Sequence, residues 1–396
     1  MISGVMPTYA RADVMFERGE GVYLFDFSGR RYLDFASGVA VNSLGHTHPR
    51  LVKALTEQAG KVWHTSNLFR VAGQEKVAGR LIANSFAETV FFCNSGAEAW
   101  ECGLKVIRKH FYESDQPERY RMITCAGGFH GRTLASISAA KQEKLVKGFG
   151  PLLDGFDQVS FGNLNEMRAA ITAETAAICV EPVQGEGGIC VPTLDYLRGL
   201  RQICDEFGLL LYFDEVQSGI GRTGKLFAHQ WAGITPDVMC LAKGLGGGFP
   251  VGACLATEKA AGVMVPGTHG STFGGNPLAM AVADAVLDVV LEPGFLEGVE
   301  AVGEAFGREL SALVERHPQV FEGEARGLGL MRGLKCTMVN TQVVTALRAN
   351  GLLTVGASDN VVRLLPPLIV SHGEIAEAIN ILDHTAAELA KEETVL

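Results

Sequence analysis

The chain has 396 residues, a formal net charge of −10 and no Lys/Arg-rich run, which excludes a nucleic-acid backbone as ligand because neutralising one takes clustered positive charge. Apolar residues make up 47% and charged residues 20%, a globular balance, and the length predicts two or three domains packed as one body. Nine cysteines scattered from Cys93 to Cys336, with no two-residue gap between any pair, suit reduced thiols rather than a disulfide framework or a zinc site. With no signal-like start and no uninterrupted apolar run of membrane length, the expectation is a soluble, cytoplasmic protein without a membrane span.

Residues 22–36 (VYLFDFSGRRYLDFA) alternate apolar and polar around a Ser28-Gly29 turn, which predicts a small N-terminal hairpin. From about residue 89 the pattern changes to short apolar runs ending in Gly-rich turns, each followed by a helical stretch: TVFFC, RMITC, AAICVEP, LLLYFDEV, DVMCLAK and VGACLAT. Such alternation predicts an α/β fold with a mainly parallel sheet.

The first run leads into NSGAEA at 94–99, a strand-turn-helix junction whose free backbone N–H groups around Gly96 and Ala97 suit an anion. Ordinary helix capping explains the same residues equally well. Ala97, Trp100, Leu104, Ile107 and Phe111 then recur at spacings of three and four, predicting one buried helix face. GGFHGRT at 127–133 offers Phe129 for stacking on a flat ring, or as a core aromatic, and Arg132 as a carboxylate clamp. In VEPVQGEGG, Glu186 sits in a Gly-rich turn where it could pair with an arginine.

FDEVQSGIGRTG at 213–224 delivers Asp214 and Glu215 to the carboxyl edge of an apolar strand, where open α/β sheets bind ligands. An isolated Asp-Glu pair is more often a cap. The next strand, however, ends in Lys243 and runs into GLGGG. A lysine after apolar residues is usually a snorkelling surface group. Together the two residues meet the demands of a pyridoxal cofactor, an amine for its aldehyde and a carboxylate for its ring nitrogen. A long apolar helix (NPLAMAVADAVLDVVLE) ends at Pro293-Gly294, beyond which amphipathic helices alternate with short strands and VVRLLPPL carries Arg363, a second clamp candidate.

These motifs jointly resemble the class III, fold-type-I aminotransferases dependent on pyridoxal 5'-phosphate, and within them the acetylornithine subfamily. The match runs from GVYLFDFSGRRYLDFASGVAVNSLGHTHP to VVRLLPPL and includes GTHGSTFGGNPLA. The resemblance implies a fold-type-I transferase with an N-terminal segment (1–58) packing with the small domain, a large cofactor-binding domain (59–292) built on a mainly parallel mixed sheet, and a smaller α+β C-terminal domain (293–396). It implies Lys243 as the Schiff-base lysine, Asp214 as the pyridinium partner, Phe129 stacking on the ring with Val216 beneath it, and Gly96 with Ala97 at the phosphate. Gln217 would meet the phenolic oxygen, and Thr272 would reach the phosphate of a neighbouring subunit, hence a homodimer. Arg132 and Ser271 would contact an acylated ornithine, and Arg363 the α-carboxylate of glutamate or 2-oxoglutarate, with Glu186 as its switchable partner.

The implied reaction passes an amino group from N2-acetyl-L-ornithine to 2-oxoglutarate in arginine biosynthesis. Succinyldiaminopimelate, succinylornithine, ornithine and 4-aminobutyrate aminotransferases share the core motifs and remain alternatives. A nicotinamide dehydrogenase is disfavoured because GLGGG lacks the G-x-G-x-x-G spacing and its later acid, and a non-catalytic relative because both Asp214 and Lys243 are present. One departure stands out: Trp100 occupies a position where members of the family more commonly carry Asn, which puts the local helix packing in question.

Overall fold

The computed structural model describes residues 4–395, with side chains through residue 391. Three strands open the chain: β1 (Phe16–Glu20), β2 (Tyr23–Asp26) and β3 (Arg31–Asp34). The β2–β3 pair is the predicted hairpin. Seven strands follow: β4 (Thr89–Cys93), β5 (Arg121–Cys125), β6 (Phe156–Val159), β7 (Thr175–Val180), β8 (Leu210–Asp214), β9 (Val238–Leu241) and β10 (Gly252–Ala256). The last group comprises β11 (Phe321–Leu328), β12 (Met331–Cys336), β13 (Leu352–Leu353), β14 (Val355–Ala357) and β15 (Val361–Leu364).

β4 to β10 form one sheet in the order β4-β10-β9-β8-β7-β5-β6. β10 runs antiparallel to both of its neighbours and the other pairs are parallel, so six strands point one way. The reason lies in the strands themselves, since β7, β8, β9 and β10 are buried at every position, as strands covered by helices on both faces must be. Successive side chains alternate between two cores. Leu211 and Phe213 join one, with Ile178, Met239 and Leu241. Leu210 and Tyr212 join the other, with Trp100, Cys179 and Cys240. Five parallel strands, β4, β5, β7, β8 and β9, therefore end along one edge beside the residues singled out above.

The helix Gly96–Glu113 buries Trp100, Leu104, Ile107 and Phe111 as its periodicity predicts. Ser95 caps it, its Oγ accepting from the Glu98 N–H at 3.3 Å, while Glu98 Oε2 accepts from the Asn94 N–H at 2.6 Å. Ordinary capping is thus present here.

A second four-stranded sheet, β11-β12-β15-β14, packs in a core that also takes Val22, Leu33 and Phe35 from the N-terminal hairpin. β13 pairs in parallel with β3, so chain start and chain end share a sheet. No helix among the described residues is long and apolar enough to cross a membrane.

Candidate active site

The carboxyl edge of the large sheet opens into a cavity of about 350 Å³, within the range of roughly 300–1,000 Å³ typical of small-molecule sites. Of the residues singled out in the sequence, Gly96, Ala97, Phe129, Glu186, Asp214, Val216, Gln217 and Lys243 line it. The others stand back. Arg132 is exposed, its guanidinium carbon 4.4 Å above the Phe129 ring. Ser271 Oγ accepts from Asn94 Nδ2 at 3.3 Å and from the Gly274 N–H at 2.9 Å, and Thr272 is exposed outside the cavity. Arg363 lies behind the lining, bonded to two of its members.

Lys243 follows β9 and begins a single 3-10 turn, Lys243–Leu245. Its φ of +42° is left-handed, a conformation costing a residue with a Cβ roughly 1–2 kcal/mol, so the surrounding fold must impose it. Burial pulls its ammonium down to about 8; the nearby Glu186 carboxylate works the other way.

Asp214 ends β8 and is 4% exposed. Its Oδ1 accepts from the Val216 N–H at 3.1 Å and its Oδ2 lies 2.7 Å from His130 Nδ1. Its neighbour Glu215 faces away. That carboxylate accepts from the Ala228 N–H at 2.7 Å, from the His229 N–H and Nδ1 at 2.9 Å each, and from Ser218 Oγ at 3.1 Å. Of the Asp-Glu pair, one carboxylate serves the cavity and the other pins the loop behind it.

Arg363, on β15, is 2% exposed. Its Nη1 donates to Glu186 Oε1 at 2.6 Å and to Gln217 Oε1 at 3.4 Å, and its Nη2 to the Gly356 carbonyl at 3.0 Å, while Nε is buried without a partner. A buried guanidinium with an unpaired donor is chemically suited to accept a further carboxylate.

Two titratable lining residues, His130 and Glu181, escaped the sequence reading. His130 is buried against Asp214. Burial alone would lower its pKa, but the hydrogen bond and charge of Asp214, helped by Glu181, hold it above the ordinary histidine value. Glu181, at the end of β7, accepts from the Phe129 N–H at 2.8 Å and the Gly185 N–H at 3.3 Å. Burial, then the charge of Asp214, pushes its carboxyl up. The available signal was position alone: Glu181 follows β7 directly and precedes a proline, and His130 lies beside Phe129 in the loop after β5.

A flat, phosphorylated heterocycle fits this donor set. Gly96 is apposed to Val216, where an added Cβ would lie 2.7 Å from Cγ1, so the backbone at the start of the helix Gly96–Glu113 opens directly into the cavity. An amine, a buried carboxylate and an aromatic face line the same space.

The model of the family described as aminotransferase class-III matches residues 6–386. The chain belongs to the class-III aminotransferases. It is 58% identical to the acetylornithine aminotransferase of Brucella melitensis over 96% of this chain and 94% of that protein, and 57% identical to that of Mesorhizobium japonicum over 98% and 97%. Among solved structures, the N-acetylornithine aminotransferase of Stenotrophomonas maltophilia superposes with a TM-score of 0.85 at 37% identity, over 97% of this chain and 98% of that one. The ornithine aminotransferase of Toxoplasma gondii ME49 superposes with a TM-score of 0.94 at 32% identity, over 98% and 94%. This class-III aminotransferase has the fold-type-I architecture expected from its sequence, and its cofactor is pyridoxal 5'-phosphate.

Proposed function

We propose that this aminotransferase converts N2-acetyl-L-ornithine and 2-oxoglutarate to N-acetyl-L-glutamate 5-semialdehyde and L-glutamate, a step of arginine biosynthesis. The reading is carried by one observation: identities of 55–58% along nearly the whole chain to several acetylornithine aminotransferases. The cavity supports it, because Lys243 and Asp214 line one space of the right size.

When bound, pyridoxal phosphate supplies an aldehyde for amine exchange and an electron sink in its protonated ring. The chain would do the rest. Lys243 Nζ would be the amine that holds the aldehyde and, as a neutral amine, the base at the substrate carbon. Asp214 would face the ring nitrogen, Phe129 and Val216 would hold the ring's two faces, and Gln217 would meet its phenolic oxygen. The backbone at Gly96 and Ala97 would receive the phosphate. Arg132 and Ser271 contact the acylated donor. Arg363 takes the α-carboxylate of 2-oxoglutarate or glutamate once Glu186 swings aside.

Thr272 lies outside its own cavity, which supports its assignment to the phosphate of a neighbouring subunit and so a homodimer. We place this assembly in the cytoplasm. The proposed division of the chain is 1–58, 59–292 and 293–396, the last boundary falling at the turn between the helices Pro277–Val290 and Phe295–Arg316.

The test is a donor panel scored by glutamate formation from 2-oxoglutarate, using acetylornithine, succinylornithine, succinyldiaminopimelate, ornithine and 4-aminobutyrate. Acetylornithine should give the highest kcat/KM. A higher value for any other donor rejects the assignment of substrate.

A further inference from the structure

Trp100, the departure noted in the sequence, has no accessible surface. Its indole lies 5.3 Å from the His130 ring with 15° between the planes, and Tyr212 extends the layer on from Trp100 at 6.3 Å and 26°. One polar contact holds the indole itself, its Nε1 donating to Cys179 Sγ at 3.4 Å, and the Tyr212 hydroxyl ties the backbone beneath it by donating to the Trp100 carbonyl at 3.1 Å. Trp100 therefore forms a fixed wall against one face of His130.

The far end of that imidazole is its 2.7 Å contact with Asp214. The charged groups facing His130 are Asp214 at the end of β8 and Glu181 at the end of β7. An imidazole turns about its second side-chain torsion at little cost. What keeps its Nδ1 edge on Asp214 is the packing of its faces, and an indole face also attracts an imidazolium through its quadrupole.

We infer that Trp100 is a positioning residue for the carboxylate that serves the cofactor's ring nitrogen: by stacking on His130 it fixes the plane from which Nδ1 meets Asp214, and so keeps Asp214 aimed into the cavity. The inference rests on the proposed role of Asp214 and adds a residue beneath it that touches neither cofactor nor substrate. An aliphatic side chain at position 100 gives His130 room to rotate, and Asp214 loses the partner that orients it.

Three variants test this. Trp100→Phe keeps an aromatic face, Trp100→Leu fills the space without one, and His130→Asn removes the titrating ring. In the cofactor-free protein, tryptophan emission is followed against pH, since an imidazolium quenches an indole stacked on it. Subtracting the Trp100→Phe curve removes the contributions of Trp63 and Trp231, the other two tryptophans. The wild type should show a quenching component with its midpoint above the ordinary histidine value of about 6.5. That component should be absent from both Trp100→Phe and His130→Asn.

In the loaded protein, the readouts are the dissociation constant of pyridoxal phosphate by equilibrium dialysis and the pH midpoint of its visible band. Trp100→Phe should stay within about twofold of wild type, whereas Trp100→Leu and His130→Asn should bind about tenfold more weakly and move the midpoint by about one pH unit. A Trp100→Leu protein that melts lower yet keeps wild-type affinity and midpoint overturns the inference, because Trp100 then only fills space. A wild type without the quenching component overturns it too. A wild type that binds no pyridoxal phosphate overturns the proposed function and this inference together, and the emission curve distinguishes that case from failure of the stack itself.

Discussion

Arg363 and Glu186 meet through a 2.6 Å ion pair between residues 177 positions apart in the chain, one from β15 and one from the turn after β7. Breaking such a pair by removing one partner leaves the other charge buried and unpaired, so the proposed function requires the carboxylate of 2-oxoglutarate to replace Glu186 on Arg363.

The first prediction concerns that exchange. Arg363→Ala should lower kcat/KM for 2-oxoglutarate by about 10²-fold or more, the loss of a charge-assisted bidentate contact, and lower it far less for acetylornithine. Single-turnover kinetics of the two half-reactions measure the two losses separately. Equal losses would contradict the division of labour between Arg363 and Arg132.

Replacing the amine itself has a broader effect. Lys243→Ala should abolish multiple turnover and remove the visible absorption that marks covalently attached cofactor, while pyridoxal phosphate can still bind through the remaining contacts. Spectra before and after dialysis, together with a steady-state assay, check both statements.

Lys243 also carries a pH signature. Only the neutral amine attacks an aldehyde, and burial pulls this ammonium down to about 8. The rate constant for covalent attachment of pyridoxal phosphate to the cofactor-free protein should therefore rise about tenfold per pH unit below pH 8 and level off above it. Stopped-flow absorbance between pH 6 and pH 10 reads this directly. A rise continuing to the ordinary lysine range near 10.4 would contradict it.

Glu215 is a stability residue. Its buried carboxylate accepts from two backbone N–H groups, an imidazole and a hydroxyl, so Glu215→Ala leaves several buried donors unmet and should cost roughly 2–4 kcal/mol. Denaturant unfolding of the cofactor-free protein measures the loss, and a change under 1 kcal/mol would contradict the assignment.

The central strands were legible because each is buried on both faces and so reads as an uninterrupted apolar run; β8, LLYFD, is the clearest case. β6 was missed for the opposite reason. It is one of the two edge strands, its Asp157 and Gln158 half-exposed, and unlike β4 its four residues carry neither an apolar run nor an alternation. The site was legible at its ends. Asp214 and Lys243 each terminate an apolar strand, and the topology of a parallel sheet brings such ends together.

His130 stayed hidden because its meaning lies in a contact with a residue 84 positions away, to which no local period points. Glu215 looked like a twin of Asp214, and only the hydrogen bonds behind the loop separate their duties. Trp100 read as a disturbance to helix packing. In the fold it is a wall for His130, a relation that depends on the loop after β5 folding back over the helix Gly96–Glu113.

The most direct test of the whole account is chemical. Borohydride should bleach the purified, yellow protein, and digestion followed by mass spectrometry should place a phosphopyridoxyl group on the peptide containing Lys243 and on no other. Attachment at a different lysine, or none at all in a protein that still forms glutamate, would contradict the claim that Lys243 and Asp214 face one cofactor across one cavity.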